Sequence, residues 1–205
     1  SDGNVYAFCN RSVFKCSMNQ TVETVFPDIA IPSPTYSVAQ APDKDIYIGT
    51  ESNGLYIYSE NWKLKKHVPI DGIIATILPD NNGDIWLGLD ETGICLFNKN
   101  KQTFTWLHKD NTNLNNNSIR TFVSYGDSSI LVGTFRGLNI LNKKELTIPP
   151  ANINIAGKGG LSHYSIHSML IDKDQTLWIG TYSAGVNYHS PFYRPVSYIT
   201  PNEYA

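Results

Sequence analysis

The sequence predicts an all-β chain: a β-propeller of four-stranded antiparallel blades, about four complete and one partial at the N-terminus, forming an open arc of a larger wheel. Three observations carry this prediction. First, one segment is written four times, as Ile46-Tyr47-Ile48-Gly49-Thr50, Ile85-Trp86-Leu87-Gly88-Leu89, Leu131-Val132-Gly133-Thr134 and Leu177-Trp178-Ile179-Gly180-Thr181, each followed by a second glycine at Gly54, Gly93, Gly137 or Gly185. Second, the leading glycines at 49, 88, 133 and 180 recur with a period of roughly 40–50 residues, the spacing of propellers and solenoids. Third, the runs around Trp86 and Trp178 are apolar at consecutive positions. Such a strand is covered on both faces, and radially stacked four-stranded sheets supply that cover.

The chain divides as one propeller region, 1–205, into a partial blade at 1–34 and blades at about 35–70, 71–114, 115–160 and 161–205. In the opening unit Val5-Tyr6-Ala7-Phe8 takes the place of the Tyr47 strand, and Ser12 to Cys16 and Thr21 to Phe26 supply two more strands; a first strand and the glycine-threonine pair are missing. The unit at 71–114 shows the full plan. Ile73 to Leu78 is an apolar run, Pro79 to Asp84 a turn cluster, Ile85 to Leu89 a strand and Asp90 to Gly93 a turn. Ile94 to Phe97, the turn Asn98 to Lys101, and Thr103 to Leu107 complete it. Strands of about five residues joined by Gly/Asn/Asp turns make an antiparallel meander. The first glycine of each repeat stands near a strand end, where a neighbouring blade approaches closely; the second stands where a tight turn needs positive φ. Trp86, Trp178 and Tyr47 fill the space between blades. Val186 to His189 and Pro195 to Ile199 complete the last unit. Nothing after them supplies the missing first strand of the opening unit, which favours an arc over a closed five-bladed ring.

Bulk properties exclude some functions. With 16 Lys and Arg against 18 Asp and Glu, the net charge of −2 gives no electrostatic case for nucleic acid. The one basic cluster, Lys63, Lys65 and Lys66, reads as a solvated strand edge. No apolar run reaches the length of a membrane span. Ser1-Asp2-Gly3 opens straight into a strand-like run, which reads as a piece of a longer chain. Cys9, Cys16 and Cys95 cannot all pair with one another and read as three small buried apolar residues. Cys9 and Cys16 fall on neighbouring strands, where sequence leaves the disulfide geometry open.

The pattern Asp172-x-Asp174-Gln175-Thr176-Leu177-Trp178-Ile179-Gly180-Thr181, continuing to Gly185-Val186-Asn187-Tyr188 and Pro191-Phe192, resembles the regulator-propeller repeat of the extracytoplasmic sensors of hybrid two-component histidine kinases, abundant in gut Bacteroidetes. The likeness covers essentially the whole chain and is strongest at 80–93 and 172–185. It implies two seven-bladed wheels, an immunoglobulin-like domain, a membrane span and cytoplasmic kinase and regulator domains in the parent chain. This segment would be the later part of the first wheel, lying in the periplasm and touching the membrane only through that parent. Departures are Leu131 where an aromatic is usual, a turn one residue shorter after it, Leu89 for Thr and Ala184 for Gly. The repeat also occurs in relatives of a streptogramin-cleaving lyase, so it identifies fold better than task.

Function is expected on one rim of the arc. Two loop sets share it: Glu51-Ser52-Asn53, Asp90-Glu91-Thr92, Phe135-Arg136 and Tyr182-Ser183-Ala184 join second strands to third, while Thr35-Tyr36-Ser37, Asp71-Gly72, Asn117 to Arg120 and Tyr164 to His167 enter the innermost strands. These loops vary while the strands beneath them repeat, the expected arrangement for binding. Tyr36, Tyr164 and Tyr182 offer faces for sugar stacking, and Arg120, Arg136, Glu91 and Asn53 offer fixed hydrogen bonds. An anionic sugar would pair with Arg120 or Arg136 through a bidentate contact. With Glu51 and His167 these nine residues are the ligand-binding candidates. No catalytic residue, metal or cofactor is implied. Asp80, Asn82, Asp84 and Glu91 mimic a calcium loop, but Ile85 stands where that loop needs glycine. His163 and His167 have helical metal-ligand spacing without a helix, which points to a rim role. Asn10-Arg11-Ser12, Asn19-Gln20-Thr21 and Asn116-Asn117-Ser118 match a glycosylation pattern that means little in a bacterial protein.

The leading expectation is a sensor region that binds an oligosaccharide or other small ligand, self-associates as a sensor dimer, and controls glycan-utilisation genes through a phosphorelay without catalysing anything itself. The alternatives are a lyase-like propeller enzyme using His167, Glu91 and Glu51, or a protein-interaction scaffold.

Overall fold

A computed structural model describes residues 5–17, 19, 21–25, 30–150 and 160–191. Gln20, Phe26 and the expected strand at 195–199 lie outside the described residues. Those described form an all-β arc of five antiparallel meanders. The opening sheet holds β1 (Val5–Cys9), β2 (Ser12–Cys16) and β3 (Val22–Val25). Blade I holds β4 (Thr35–Gln40), β5 (Ile46–Thr50), β6 (Leu55–Tyr58) and β7 (Leu64–Val68). Blade II holds β8 (Ile74–Pro79), β9 (Asp84–Leu89), β10 (Gly93–Asn98) and β11 (Thr103–Leu107). Blade III holds β12 (Ile119–Tyr125), β13 (Ser129–Thr134) and β14 (Gly137–Asn142). Blade IV holds β15 (Ile166–Ile171), β16 (Leu177–Thr181) and β17 (Val186–His189). β4, β8, β12 and β15 lie side by side as the innermost strands. In blade III the expected outer strand is reduced, among the described residues, to one antiparallel bridge between Asn142 and Thr147. Pro149 and Pro150 follow, and neither has an N–H to extend the ladder.

The leading glycines are notches. A Cβ on Gly88 would stand 2.5 Å from Ile119 Cγ2, the first residue of the next blade's innermost strand, and one on Gly133 would stand 2.6 Å from Ile166 Cγ2. Gly49 receives Ile74 in the same way. Only a hydrogen leaves room for the neighbouring blade's isoleucine side chain to seat this closely against the strand. The second glycines carry φ of +78° at Gly54, +100° at Gly93, +118° at Gly137 and +74° at Gly185, the left-handed region that a β-carbon disfavours.

Core clusters lie between blades. Tyr47 and Ile57 of blade I pack with Leu87 and Phe97 of blade II; Trp86 and Ile94 of blade II pack with Phe122 and Val132 of blade III; Leu131 and Leu138 pack with Ile166 and Ile179. Trp86 and Tyr47 are each 1% exposed, as expected of residues filling that space, whereas Trp178 on the terminal blade is 40% exposed.

Two sequence expectations are corrected. Cys95 alone is a buried apolar residue; Cys9 is exposed and Cys16 half-buried. Cys9 pairs with Ser12 and Cys16 with Val5, so the two thiols sit at opposite ends of one hairpin, beyond disulfide reach. The lysine cluster is only partly a solvated edge. β7 is an edge strand, but Lys65 pairs with Asp45 and the Lys66 ammonium lies 5.8 Å from the Phe97 ring centroid.

Candidate functional site: the mouth of the arc

At one end of every blade the turn between its second and third strands meets the start of its innermost strand. Threonine shapes that turn. Thr50, Thr134 and Thr181 each donate Oγ1 to the carbonyl of the following turn glycine, Gly54, Gly137 and Gly185, at 2.8, 2.9 and 2.9 Å. Thr50 and Thr134 also accept the backbone N–H of Asn53 and Arg136. Blade II has Leu89 there, and Glu91 with φ +63° completes its turn instead.

All four innermost strands begin with the same irregularity. The register against the second strand skips one residue between Thr35 and Ser37, Ile74 and Thr76, Ile119 and Thr121, and Ile166 and Ser168. The bulged residues are Tyr36, Ala75, Arg120 and His167. A bulge leaves one residue outside the ladder and re-aims its side chain. Beside each bulge, the residue that follows the second strand returns its N–H to the carbonyl just ahead of it. Glu51 donates to Pro34, Asp90 to Ile73, Phe135 to Ser118 and Tyr182 to Ser165, each at 3.0 Å. Every blade thus presents a pair at the mouth: Tyr36 with Glu51, Ala75 with Asp90, Arg120 with Phe135, and His167 with Tyr182.

Seven of the nine candidates meet this geometry directly or in the adjoining turn: Tyr36, Glu51, Arg120, His167, Tyr182 and, one residue further along their turns, the exposed Glu91 and Arg136. Asn53 is committed to structure, its Oδ1 accepting from Tyr56 Oη at 2.9 Å and its carbonyl from His67 Nε2 at 2.7 Å. Tyr164 stacks on His163 with centroids 4.4 Å apart, and His163 Nδ1 accepts the Ser165 N–H. Sequence reasoning passed over Asp90 and Phe135 as individual candidates. They flank Arg120, whose Nη1 lies 3.8 Å from Asp90 Oδ2 and whose guanidinium carbon lies 5.8 Å from the Phe135 ring centroid. The signal that finds them is their shared place, the residue directly after each repeated second strand: Glu51, Asp90, Phe135 and Tyr182. The triplets Thr35-Tyr36-Ser37, Ile74-Ala75-Thr76, Ile119-Arg120-Thr121 and Ile166-His167-Ser168, whose outer positions repeat while the middle one varies, mark the bulged partners.

Among the described residues no hydrogen bond or ion pair joins His167, Glu91 and Glu51, the groups an enzyme reading would need. The calcium-like residues are occupied otherwise: Asp80 takes Lys143 and the Trp86 N–H, while Asp84 accepts from Asn82 and Asn98. Asp43, whose carboxyl is held below its ordinary value by its hydrogen bond to Lys99, sits with Lys99 at the far end of the blades, where the pair joins blade I to blade II.

A regular scaffold of radially packed antiparallel blades, with unlike polar and aromatic pairs at one end, defines a β-propeller. Comparison narrows the class. Residues 160–183 match the family described as two component regulator propeller. The extracellular domain of the putative hybrid two component system BT3049 from B. thetaiotaomicron is 26% identical with a TM-score of 0.71, over 92% of this chain and 25% of that one. That of BT4673 from the same organism is 18% identical with a TM-score of 0.72, over 91% and 25%. PorZ, a surface component of the type-IX secretion system of Porphyromonas gingivalis, is 17% identical with a TM-score of 0.64, over 93% and 31%. None of the curated proteins matches. The chain therefore carries a regulator-propeller repeat in the fold of two-component extracellular domains, and spans about a quarter of the length of those domains.

Proposed function

We propose that this chain is part of the periplasmic, ligand-sensing propeller of a hybrid two-component histidine kinase, and that it binds an oligosaccharide at the mouth. The likeness to an extracellular two-component domain at 26% identity over 92% of the chain carries the sensor half of this reading. Exposed Tyr36 and Tyr182, together with Glu51, Arg120, Arg136 and His167, support the ligand half, since sugars are held by aromatic faces and fixed polar groups. The bound state would favour one arrangement of two sensor chains over another, and that differential affinity is what passes to a kinase and on to glycan-utilisation genes.

The test is a thermal-shift screen of this chain against plant, host and microbial oligosaccharides. A ligand that binds the folded state raises Tm as its concentration rises. We expect one glycan class to do so, and Tyr36→Ala or Tyr182→Ala to remove the shift without lowering the unliganded Tm. If none of the classes shifts Tm while a protein from the same envelope does, the ligand is a protein and the glycan reading is lost.

A further inference from the structure

The mouth is electrically divided. Its blade I and II half carries Glu51, Asp71, Asp90 and Glu91, while the loops of the blade III and IV half, 115–120, 134–138, 160–167 and 181–185, carry Arg120, Arg136, His163 and His167 and no carboxylate. The aromatic rings of Phe135, Tyr164 and Tyr182 lie on that second half and are exposed. Arg120 is aimed by its bulge, and its guanidinium is held over Phe135 and makes one long contact, 3.8 Å, to Asp90. A guanidinium has five N–H donors, so most of its capacity is unspent. Arg136 is exposed and its side chain has no partner among the described residues. β12 and β15 are neighbours, so the bulges at Arg120 and His167 open on the same side of adjacent innermost strands.

We propose that the blade III and IV half of the mouth is a subsite for the anionic group, carboxylate or sulfate, of an acidic saccharide, with Arg120 and Arg136 as its cationic partners and His167 beside them. This rests on the reading of the mouth as a saccharide site and adds the chemical class. A guanidinium presents parallel N–H groups to a planar anion, and packing against a ring fixes its plane before the ligand arrives. The aromatic rings beside it take the apolar face of a sugar ring. Asp90 borders the subsite on its blade II side, and Glu51, Asp71 and Glu91 stand further round the same half, so the anionic group is directed to the blade III and IV side and the ligand enters in one orientation.

The experiment is isothermal titration of the chain at 0.15 M salt with three probes: trigalacturonate, a sulfated chondroitin disaccharide and neutral galactotriose. At least one acidic probe is expected to bind roughly tenfold or more tightly than galactotriose. Arg136→Gln and Arg120→Gln each remove that preference, whereas Lys63→Gln at the far end leaves it intact. Trigalacturonate as the better ligand identifies a uronate, and the sulfated probe a sulfate. Galactotriose binding as well as either acidic probe overturns the anion subsite and leaves the mouth as a neutral-sugar site. An acidic preference that survives both arginine variants overturns the assigned residues. Silence from all three probes, with the chain folded, overturns the anion subsite, while the saccharide reading is decided by the wider thermal-shift screen.

Discussion

The notch at Gly88 is a residue-scale device with a sharp consequence. Its missing Cβ would fall 2.5 Å from Ile119 Cγ2 and 2.6 Å from Thr76 Cγ2, both branched side chains with little room to rotate. Gly88→Ala should therefore destabilise the chain by about 1–3 kcal/mol, the usual range for overpacking. Ile119→Ala should cost less in that background than alone, because it removes the clash; strict additivity in denaturant melts would sink the notch account. The aromatic of the repeat has its own partner. Trp86 Nε1 donates to Asp80 at 3.4 Å and Trp178 Nε1 to Asp172 at 2.8 Å. Where the repeat has Tyr47 or Leu131, with no indole to satisfy, the place of the aspartate is taken by Ala41 or Tyr125. The Trp178 N–H, followed by the Thr176 backbone N–H, holds the Asp172 carboxyl below its ordinary value of 3.8. A depressed carboxyl contributes stability that is present above 3.8 and lost as pH falls through the folded value. Asp172→Ala should lower Tm at neutral pH, and its deficit against the wild type should shrink in melts run below that pH. The glycines were legible in the sequence because period and position alone specify them. The Asp–Trp pairing was not, because it appears only when the repeats are aligned and the absences are compared with the presences.

Between elements, the far end of the blades is strapped by lysines. Lys99, in the turn from β10 to β11, reaches back to blade I and donates to Asp43 at 2.8 Å, Asp45 at 3.0 Å and Tyr47 Oη at 3.2 Å. Lys143 occupies the same place after β14 and pairs with Asp80 of blade II at 3.2 Å. Blade IV has Pro191 there, so the series ends. Burial pulls the Lys99 pKa down, but its bonds to Asp43, Asp45 and Tyr47 outweigh that and the net direction is up. Its contribution is complete below the ordinary lysine value of 10.5 and lost as pH rises through the folded value, while Lys99 draws the Asp43 carboxyl below 3.8, so its share fades only in acid. Lys99→Met is expected to cost about 1–3 kcal/mol, since the nearly buried Asp45 keeps only Lys65. Glu60→Gln, which breaks the exposed Lys44 pair, should cost no more than about 0.5 kcal/mol. Equal losses in the two variants would refute a strap. The strands themselves were readable from turn clusters and apolar runs. The bulges were legible only by comparing repeats, because a bulge is a property of two strands in register and one strand alone shows merely a variable residue between two repeated ones; the pairing of Arg120 with Asp90 and Phe135 depends on that register.

At the scale of the whole arc, stability is a chain of nearest-neighbour interfaces, since each core cluster joins adjoining sheets and none spans the molecule. Interior blades are covered twice and the ends once. On blade IV, Leu170 is 60% exposed, Val186 66% and Tyr188 60%, and Gly180 meets only Ser168 among the described residues where the earlier notches hold an isoleucine. Two measurable results follow from that asymmetry. Amide exchange should be slowest in β8–β9 and β12–β13 and fastest in β1–β3 and β15–β17, because local opening follows local burial; uniform protection would mean that the arc unfolds as one unit and that the interfaces do not set its stability. The bare face should also drive association of the chain with itself, an apolar surface of this kind being rare on a monomer. Sedimentation velocity should then show a concentration-dependent shift to larger species, and Leu170→Glu with Val186→Lys should abolish it while leaving the exchange pattern of β8–β13 unchanged. Oligomers that persist in the doubly charged variant would place the contact elsewhere, and the exposed edge of the opening sheet, with Val5 and Val22 both more than half exposed, would be the next face to charge.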